Sequence, residues 1–186
     1  MIAVFILTSL GVALTVFLLM YKQVFGGIVK TRSIFLKHIL VITLLYVAMM
    51  LLGYGLATRL LPILPFGGYM ISSILFVILG FKMYSGIRKG RKLNWTFDTS
   101  AMKVLLLFSL SNSFDAFFIG IAAGLYAEFQ WIHLLIYALI IAFFIIMANV
   151  MARRKSATLA VWMVGSLGAA LLIINAIVIV ILSWIK

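Results

Sequence analysis

Asp115 is the residue of this chain most able to do chemistry, because it is a single acid in the middle of an apolar segment. Asn112 and Ser111 precede it by three and four positions, so a helix would place all three side chains on one face. A carboxylate, an amide oxygen and a hydroxyl are hard oxygen ligands of the kind that Mg²⁺, Ca²⁺ or Mn²⁺ accept. A carboxylate at the bilayer centre costs about 2.5–3.5 kcal/mol on insertion scales, so it usually marks an ion path or a proton relay. The alternative is a protonated Asp115 that hydrogen-bonds two helices together.

Other polar side chains in apolar segments could complete a coordination shell around a cation. Asn175, near the expected depth of Asp115, could do so or could hydrogen-bond across helices, and Asn149, nearer a segment end, allows the same two interpretations. Thr15 corresponds to Asp115 when the two halves of the chain are overlaid, although a lone Thr commonly hydrogen-bonds its own helix backbone. The candidate metal ligands are therefore Asp115, Asn112, Asn175 and Thr15.

The sequence lacks the residues that most enzymatic mechanisms require. The chain has no cysteine, so disulfides, thiolate metal sites and cysteine nucleophiles are excluded. It has two histidines, three acids in all, no phosphate-binding loop and no H-E-x-x-H pattern. We expect a protein that is not an enzyme and that has no cofactor apart from a transported cation.

The composition indicates what must position these residues. Hydrophobic residues make up 67% and charged residues 10% of the chain, and the mean hydropathy is +1.32. In soluble domains, about 45–50% of the residues are hydrophobic and about 25% are charged. Six apolar segments can each cross about 30 Å of hydrocarbon, and they must be helices because lipid cannot satisfy a sheet edge. The sequence predicts an all-α integral membrane protein with six transmembrane helices in the segments Ile2–Tyr21, His38–Thr58, Leu60–Phe81, Val104–Ala127, Phe129–Ala152 and Ser156–Ile185.

The basic residues predict the orientation of these helices. The net charge is +12, and thirteen of the 15 Lys and Arg residues follow the first, third and fifth segments, whereas only Arg59 and Lys186 lie on the other side. The positive-inside rule places the basic loops in the cytoplasm and both termini outside, in the plasma or inner membrane of the cell. We expect these loops to contact anionic lipids. They lie between apolar spans and not on a separate fold, so we expect no nucleic-acid binding.

The longest loop divides the chain into equal halves. Residues 87–103, with the sequence IRKGRKLNWTFDTSAMK, separate a first three-helix repeat, 1–86, from a second, 104–186. A unit with an odd number of spans returns upside down, which predicts an inverted 3+3 repeat of the kind found in many transporters. Overlaying Thr8–Phe17 on Phe108–Phe117 aligns three identical residues and places Thr15 opposite Asp115.

Small residues at helical spacing predict close packing. Ala116, Gly120 and Gly124 recur every four positions after the polar cluster, so another helix can approach this face closely. Gly53 and Gly55 in the second segment carry the same prediction.

Three motifs resemble those of one transporter family. The run SNSFDAFFIG (Ser111–Gly120) resembles the Asp-Ala signature in the fourth helix of the MntP-type manganese efflux pumps, which belong to the lysine-exporter superfamily. LGFKMYSGI (Leu79–Ile87) and LLGYGLA (Leu51–Ala57) are similar to the end of that family's third helix and to its second helix. The resemblance implies six helices in two repeats, manganese export, and Asp115 as a ligand with Asn112 beside it.

The first half departs from that family in its acids. Thr15 and Val16 stand where the family has a second Asp-Ala pair, and Tyr46 and Ser85 align with family glutamates. Asp115 is therefore the one family acid that this chain retains.

The leading hypothesis is a small secondary exporter of a cation, including a divalent metal such as manganese. Asp115, Asn112 and Asn175 would bind the cargo near the midplane, Thr15 would form the opposite wall, and the two halves would rock around the site. One alternative is a non-transporting accessory or scaffold subunit of a membrane complex, and another is an exporter of an amino acid or small organic cation. A membrane protein partner and a homo-oligomer both stay open.

Overall fold

Six long helices account for nearly all of the structure. The computed structural model describes residues 2–29, 31–63, 68–90, 98–126, 131–153 and 158–185. Its helices are α1 (Ile2–Phe25), α2 (Arg32–Leu60), α3 (Gly68–Gly90), α4 (Met102–Tyr126), α5 (Trp131–Arg153) and α6 (Thr158–Ile185), and a short 3₁₀ helix, Leu61–Ile63, follows α2. All six are long and apolar enough to span a membrane, and the described residues include no strand. The prediction of a six-span all-α membrane protein is confirmed.

The third helix lies differently from its prediction. The apolar run Leu60–Phe81 is divided between the end of α2, the 3₁₀ helix and α3, which begins only at Gly68 and continues to Gly90. Lys82, which we assigned to the following loop, therefore lies inside the membrane-spanning stretch Gly68–Gly86. Twelve Lys and Arg residues still lie at the C-terminal ends of the odd-numbered helices or between there and the second turn of the next helix, against two on the other side, so the charge asymmetry persists. We call these two sides the basic end and the opposite end of the bundle.

The helices pack as a closed ring whose members alternate between the two halves of the chain. The order around the ring is α1, α5, α2, α4, α3 and α6, and α1 also touches α4 across it. Exchanging each helix of the first half with its counterpart in the second half leaves this order unchanged, as an inverted repeat would. The proposed boundaries at 86 and 104 stay a prediction, and residues 91–97 of the intervening loop lie outside the described residues.

This interleaving bears on the predicted motion. Among the described residues, every principal helix contact joins a helix of the first half to a helix of the second. Rocking of one half against the other would therefore rearrange contacts throughout the ring. The rocking hypothesis stays a prediction.

The closest helix contact joins α2 to α4. A Cβ added at Gly120 would lie 2.1 Å from the backbone oxygen of Met50, and one added at Gly53 would lie 2.0 Å from that of Phe117. One added at Gly124 would lie 2.6 Å from a side-chain atom of α2, and Ala116 is fully buried. The predicted small-residue face of α4 is confirmed. The prediction for Gly55 is wrong, because nothing lies within 4 Å of a Cβ built there.

A buried hydrogen-bond chain ties the basic end together. The hydroxyl of Thr99, in the segment before α4, lies 2.8 Å from Nε2 of His38 on α2 and donates to Oε1 of Gln23 on α1 at 3.0 Å. All three side chains are buried. Two helices of the first half are thereby joined to the start of the second.

Candidate cation site

Asp115 forms an ion pair inside the bundle. The Nζ group of Lys82 on α3 donates to Oδ1 of Asp115 on α4, two helices that are neighbours in the ring. Both residues lie within membrane-spanning stretches. The Asp115 side chain is 20% exposed and that of Lys82 is 60% exposed, so the pair joins a partly buried carboxylate to a lysine that lies largely on the bundle surface.

Sequence reasoning missed Lys82 because the charge was taken to end the span. Pro62, Pro65 and Gly67, all poor helix formers, precede α3, and the stretch from Gly68 to Phe81 has only 14 residues, counting both. At 1.5 Å per residue this stretch covers about 21 Å, which is short of the hydrocarbon thickness. The helix had to continue through Lys82, and this length argument could have placed the lysine in the membrane.

Two buried tyrosines lie on helices that adjoin in the ring. Tyr46 on α2 and Tyr137 on α5 are both fully buried. The Tyr46 hydroxyl donates to the backbone oxygen of Asn112 at 3.1 Å, whereas the Tyr137 hydroxyl has no hydrogen-bond partner among the described residues. Tyr46 thus contacts α4 one turn before Asp115.

Asn112 lies one turn before Asp115, as predicted. Its side-chain nitrogen donates to the backbone oxygen of Phe108 at 2.7 Å, so the amide is held along its own helix. The amide oxygen is the atom of this side chain that could bind a cation. Ser111, on the same face in sequence, is exposed.

The other candidate ligands lie elsewhere. Asn175 is fully buried on α6, and its nitrogen donates to Thr8 of α1 at 2.5 Å. The Thr15 hydroxyl lies 3.3 Å from the sulfur of Met83 and 3.4 Å from the backbone oxygen of Gly11. Among the described residues, no hydrogen bond or ion pair joins Asn175 or Thr15 to Asp115, so their role as ligands stays a prediction. Asn149 accepts a hydrogen bond from Arg153 at the basic end of α5.

The charge at the site limits what it can bind. No group of three or more His, Cys, Asp or Glu residues that could hold a metal ion occurs in the described part of the chain. A cation here would rely on one carboxylate and on neutral oxygens, and it would have to compete with Lys82 for that carboxylate.

Comparison with known proteins identifies the family. The family model Mntp, whose description is "Putative manganese efflux pump", matches residues 28–180. This match covers most of the chain, so the protein belongs to that family. The matched region contains Tyr46, Lys82 and Asp115 but not α1. No curated protein and no solved structure matches the chain. Membership implies a multi-pass membrane transporter and not an enzyme.

Proposed function

We propose that this chain exports a divalent cation, with manganese as its cargo, across the plasma or inner membrane of the cell. The observation that carries the proposal is a carboxylate, Asp115, in a membrane-spanning helix of a protein from an efflux-pump family. The charge asymmetry supports an orientation with the basic loops in the cytoplasm, next to anionic lipids, and with both termini outside.

In this proposal Asp115 is the charged ligand, and the oxygens around it replace part of the hydration shell of the cargo. The Tyr46 hydroxyl and the amide oxygen of Asn112 are hard ligands of the type that Mn²⁺ accepts. A divalent ion is attracted to a carboxylate twice as strongly as an ammonium group is at the same distance and dielectric. The cargo would therefore displace Lys82, whose long and largely exposed side chain can withdraw toward the membrane surface.

One observation favours a second candidate function. Lys82 presents a primary ammonium group to Asp115, and an amino acid or organic amine would present the same group. An exporter of such a monovalent cation needs only one carboxylate, which is what this site supplies. The ammonium group of Lys82 would then compete with the ammonium group of the cargo for Asp115.

The test is a cargo panel in cells that lack their own manganese exporter. Cells with the wild-type chain should contain less manganese and tolerate more of it than empty-vector cells, and zinc, cobalt, lysine and arginine complete the panel. Asp115→Asn should abolish the effect at an unchanged protein level, because it removes the charge and keeps the size. Asp98→Asn is the matched control, since Asp98 is exposed and precedes α4.

Each outcome assigns a function. Protection against amines alone would replace the manganese proposal by the second candidate. Full activity of Asp115→Asn would remove the carboxylate as a ligand. No change for any cargo would favour an accessory subunit in which Lys82 and Asp115 only join two helices.

A further inference from the structure

One face of α5 carries two buried polar side chains that the proposed site does not use fully. His133 and Tyr137 are four residues apart, so they lie on the same face of the helix, and they are 7% and 0% exposed. Below them the same face is apolar and fully buried, at Ile141 and Ile145. The polar part of this face is therefore confined to the opposite end of the bundle.

Both side chains hold a polar atom that lacks a partner. Nε2 of His133 and the hydroxyl of Tyr137 have no hydrogen-bond partner among the described residues. Buried polar groups are nearly always hydrogen-bonded, so an exception requires an explanation. Two such atoms one turn apart on one helix indicate a place that another polar species occupies at some stage.

His133, Tyr137 and Asp115 lie at increasing depth from the opposite end of the bundle. At 1.5 Å per residue, His133 lies about 3 Å and Tyr137 about 9 Å from the first residue of α5, and Asp115 lies about 16 Å from the last residue of α4. These two helix ends are both at the opposite end of the bundle. Tyr137 is thus intermediate in depth between His133 and Asp115.

Helix α1 covers His133, the residue of the three that lies nearest the opposite end of the bundle. The ring of Phe5 packs on that of His133 with centroids 4.7 Å apart and an interplanar angle of 31°. Deeper in the bundle, Phe17 contacts Phe144 edge to face, so α1 and α5 run parallel along this face. Movement of α1 against α5 would open the face without breaking the close α2–α4 contact.

We propose that His133 and Tyr137 line the path by which the cargo leaves Asp115 toward the opposite end, and that the Phe5–His133 stack is its closed outer end. The phenolic oxygen and the imidazole nitrogen offer lone pairs to a partly dehydrated divalent cation, at two successive depths. This inference rests on the proposed function, because it requires a cation at Asp115.

The test uses the full-length chain in proteoliposomes, with Mn²⁺ as the probe and with Tyr137→Phe and His133→Phe as variants. Each variant keeps an aromatic ring and removes the unpartnered atom. Residues of a release path affect the rate of transport and not the affinity for Mn²⁺. We therefore expect the rate of Mn²⁺ transport to fall about tenfold, which corresponds to a modest rise in the free-energy barrier to release. The Mn²⁺-induced shift in melting temperature should stay at the wild-type value, and the melting temperature itself should stay equal or rise.

The matched control is Tyr21→Phe. Tyr21 is also buried with an unpartnered hydroxyl, but it lies toward the basic end of α1, stacked between Phe17 and Phe25. Its variant should transport normally.

The outcomes separate this inference from the proposed function. Wild-type rates in both Tyr137→Phe and His133→Phe would overturn the release path and leave the proposed function intact. An equal loss in Tyr21→Phe would also overturn it, because any buried hydroxyl would then have the same effect. A wild-type chain that neither binds nor transports Mn²⁺ would contradict the proposed function itself.

Discussion

Lys82 of α3 donates a hydrogen bond to Asp115 of α4 within the membrane-spanning part of the bundle. The chain lacks the acids of the first half that its family resemblance would supply, and here one lysine balances the one retained acid. Lys82 and Asp115 are therefore neutral as a pair, and the cost of a lone carboxylate in lipid is offset. A cargo ion and Lys82 then become competitors for one group.

The first prediction follows from this competition. Lys82→Met should lower the free energy of unfolding by about 1–3 kcal/mol, because the partly buried carboxylate loses its partner. Mn²⁺ should restore the loss, so the metal-induced rise in melting temperature should be larger in the variant than in the wild type. Thermal melting in detergent, with and without Mn²⁺, measures both effects.

The control for this prediction is Lys103→Met, which removes an exposed lysine near the start of α4. It should melt like the wild type. The double variant Lys82→Met with Asp115→Asn should recover stability without Mn²⁺, since neither charge is left. A Lys82→Met protein as stable as the wild type and indifferent to Mn²⁺ would contradict the competition.

The second prediction concerns the α2–α4 contact. Gly120→Ala places a Cβ 2.1 Å from the backbone oxygen of Met50, which cannot move aside as the end of a flexible side chain could. We expect a loss of about 1–3 kcal/mol or more and a reduced yield. Gly55→Ala is the matched change with open space around it, and it should be neutral or stabilise by up to about 1 kcal/mol. Equal melting temperatures for the two variants would show that the helices can separate freely.

Much of the fold was predictable from the sequence, because hydrocarbon thickness and helix periodicity act on every residue of a span. Six helices, the small-residue face at Gly120 and the shared face of Asn112 and Asp115 all follow from those two constraints. The order of helices around the ring does not, since every outward face is similarly apolar. Tyr46 and Tyr137 lie on adjoining helices only because α2 and α5 are neighbours in the ring, a relationship between residues 91 positions apart in the chain.

The third prediction concerns orientation. Twelve basic residues at one end against two at the other predict that the basic end faces the cytoplasm, even with Lys82 removed from the count. A reporter fused after Lys186 should therefore be extracytoplasmic, and one inserted in the loop 91–97 should be cytoplasmic. The reverse pattern would show that the orientation, and with it the direction assigned to the release path, is wrong.

The last prediction restores an acid to the site. Tyr46 is fully buried, and its hydroxyl donates to the backbone oxygen of Asn112, one turn before Asp115. The family resemblance aligns it with a glutamate. Tyr46→Glu and Tyr46→Gln remove the same ring and leave the same cavity, so both should lose stability, by about 3–5 kcal/mol at most. The two variants differ only in charge.

A second carboxylate beside Asp115 can share a divalent ion, so Tyr46→Glu should bind Mn²⁺ at least about tenfold more tightly than Tyr46→Gln, a difference of about 1.4 kcal/mol. Isothermal titration of the two purified variants, with Lys82 present in both, makes the comparison. Equal affinities would mean that Mn²⁺ does not bind next to Tyr46, and the cation site would then have to be sought away from the α2–α4 contact.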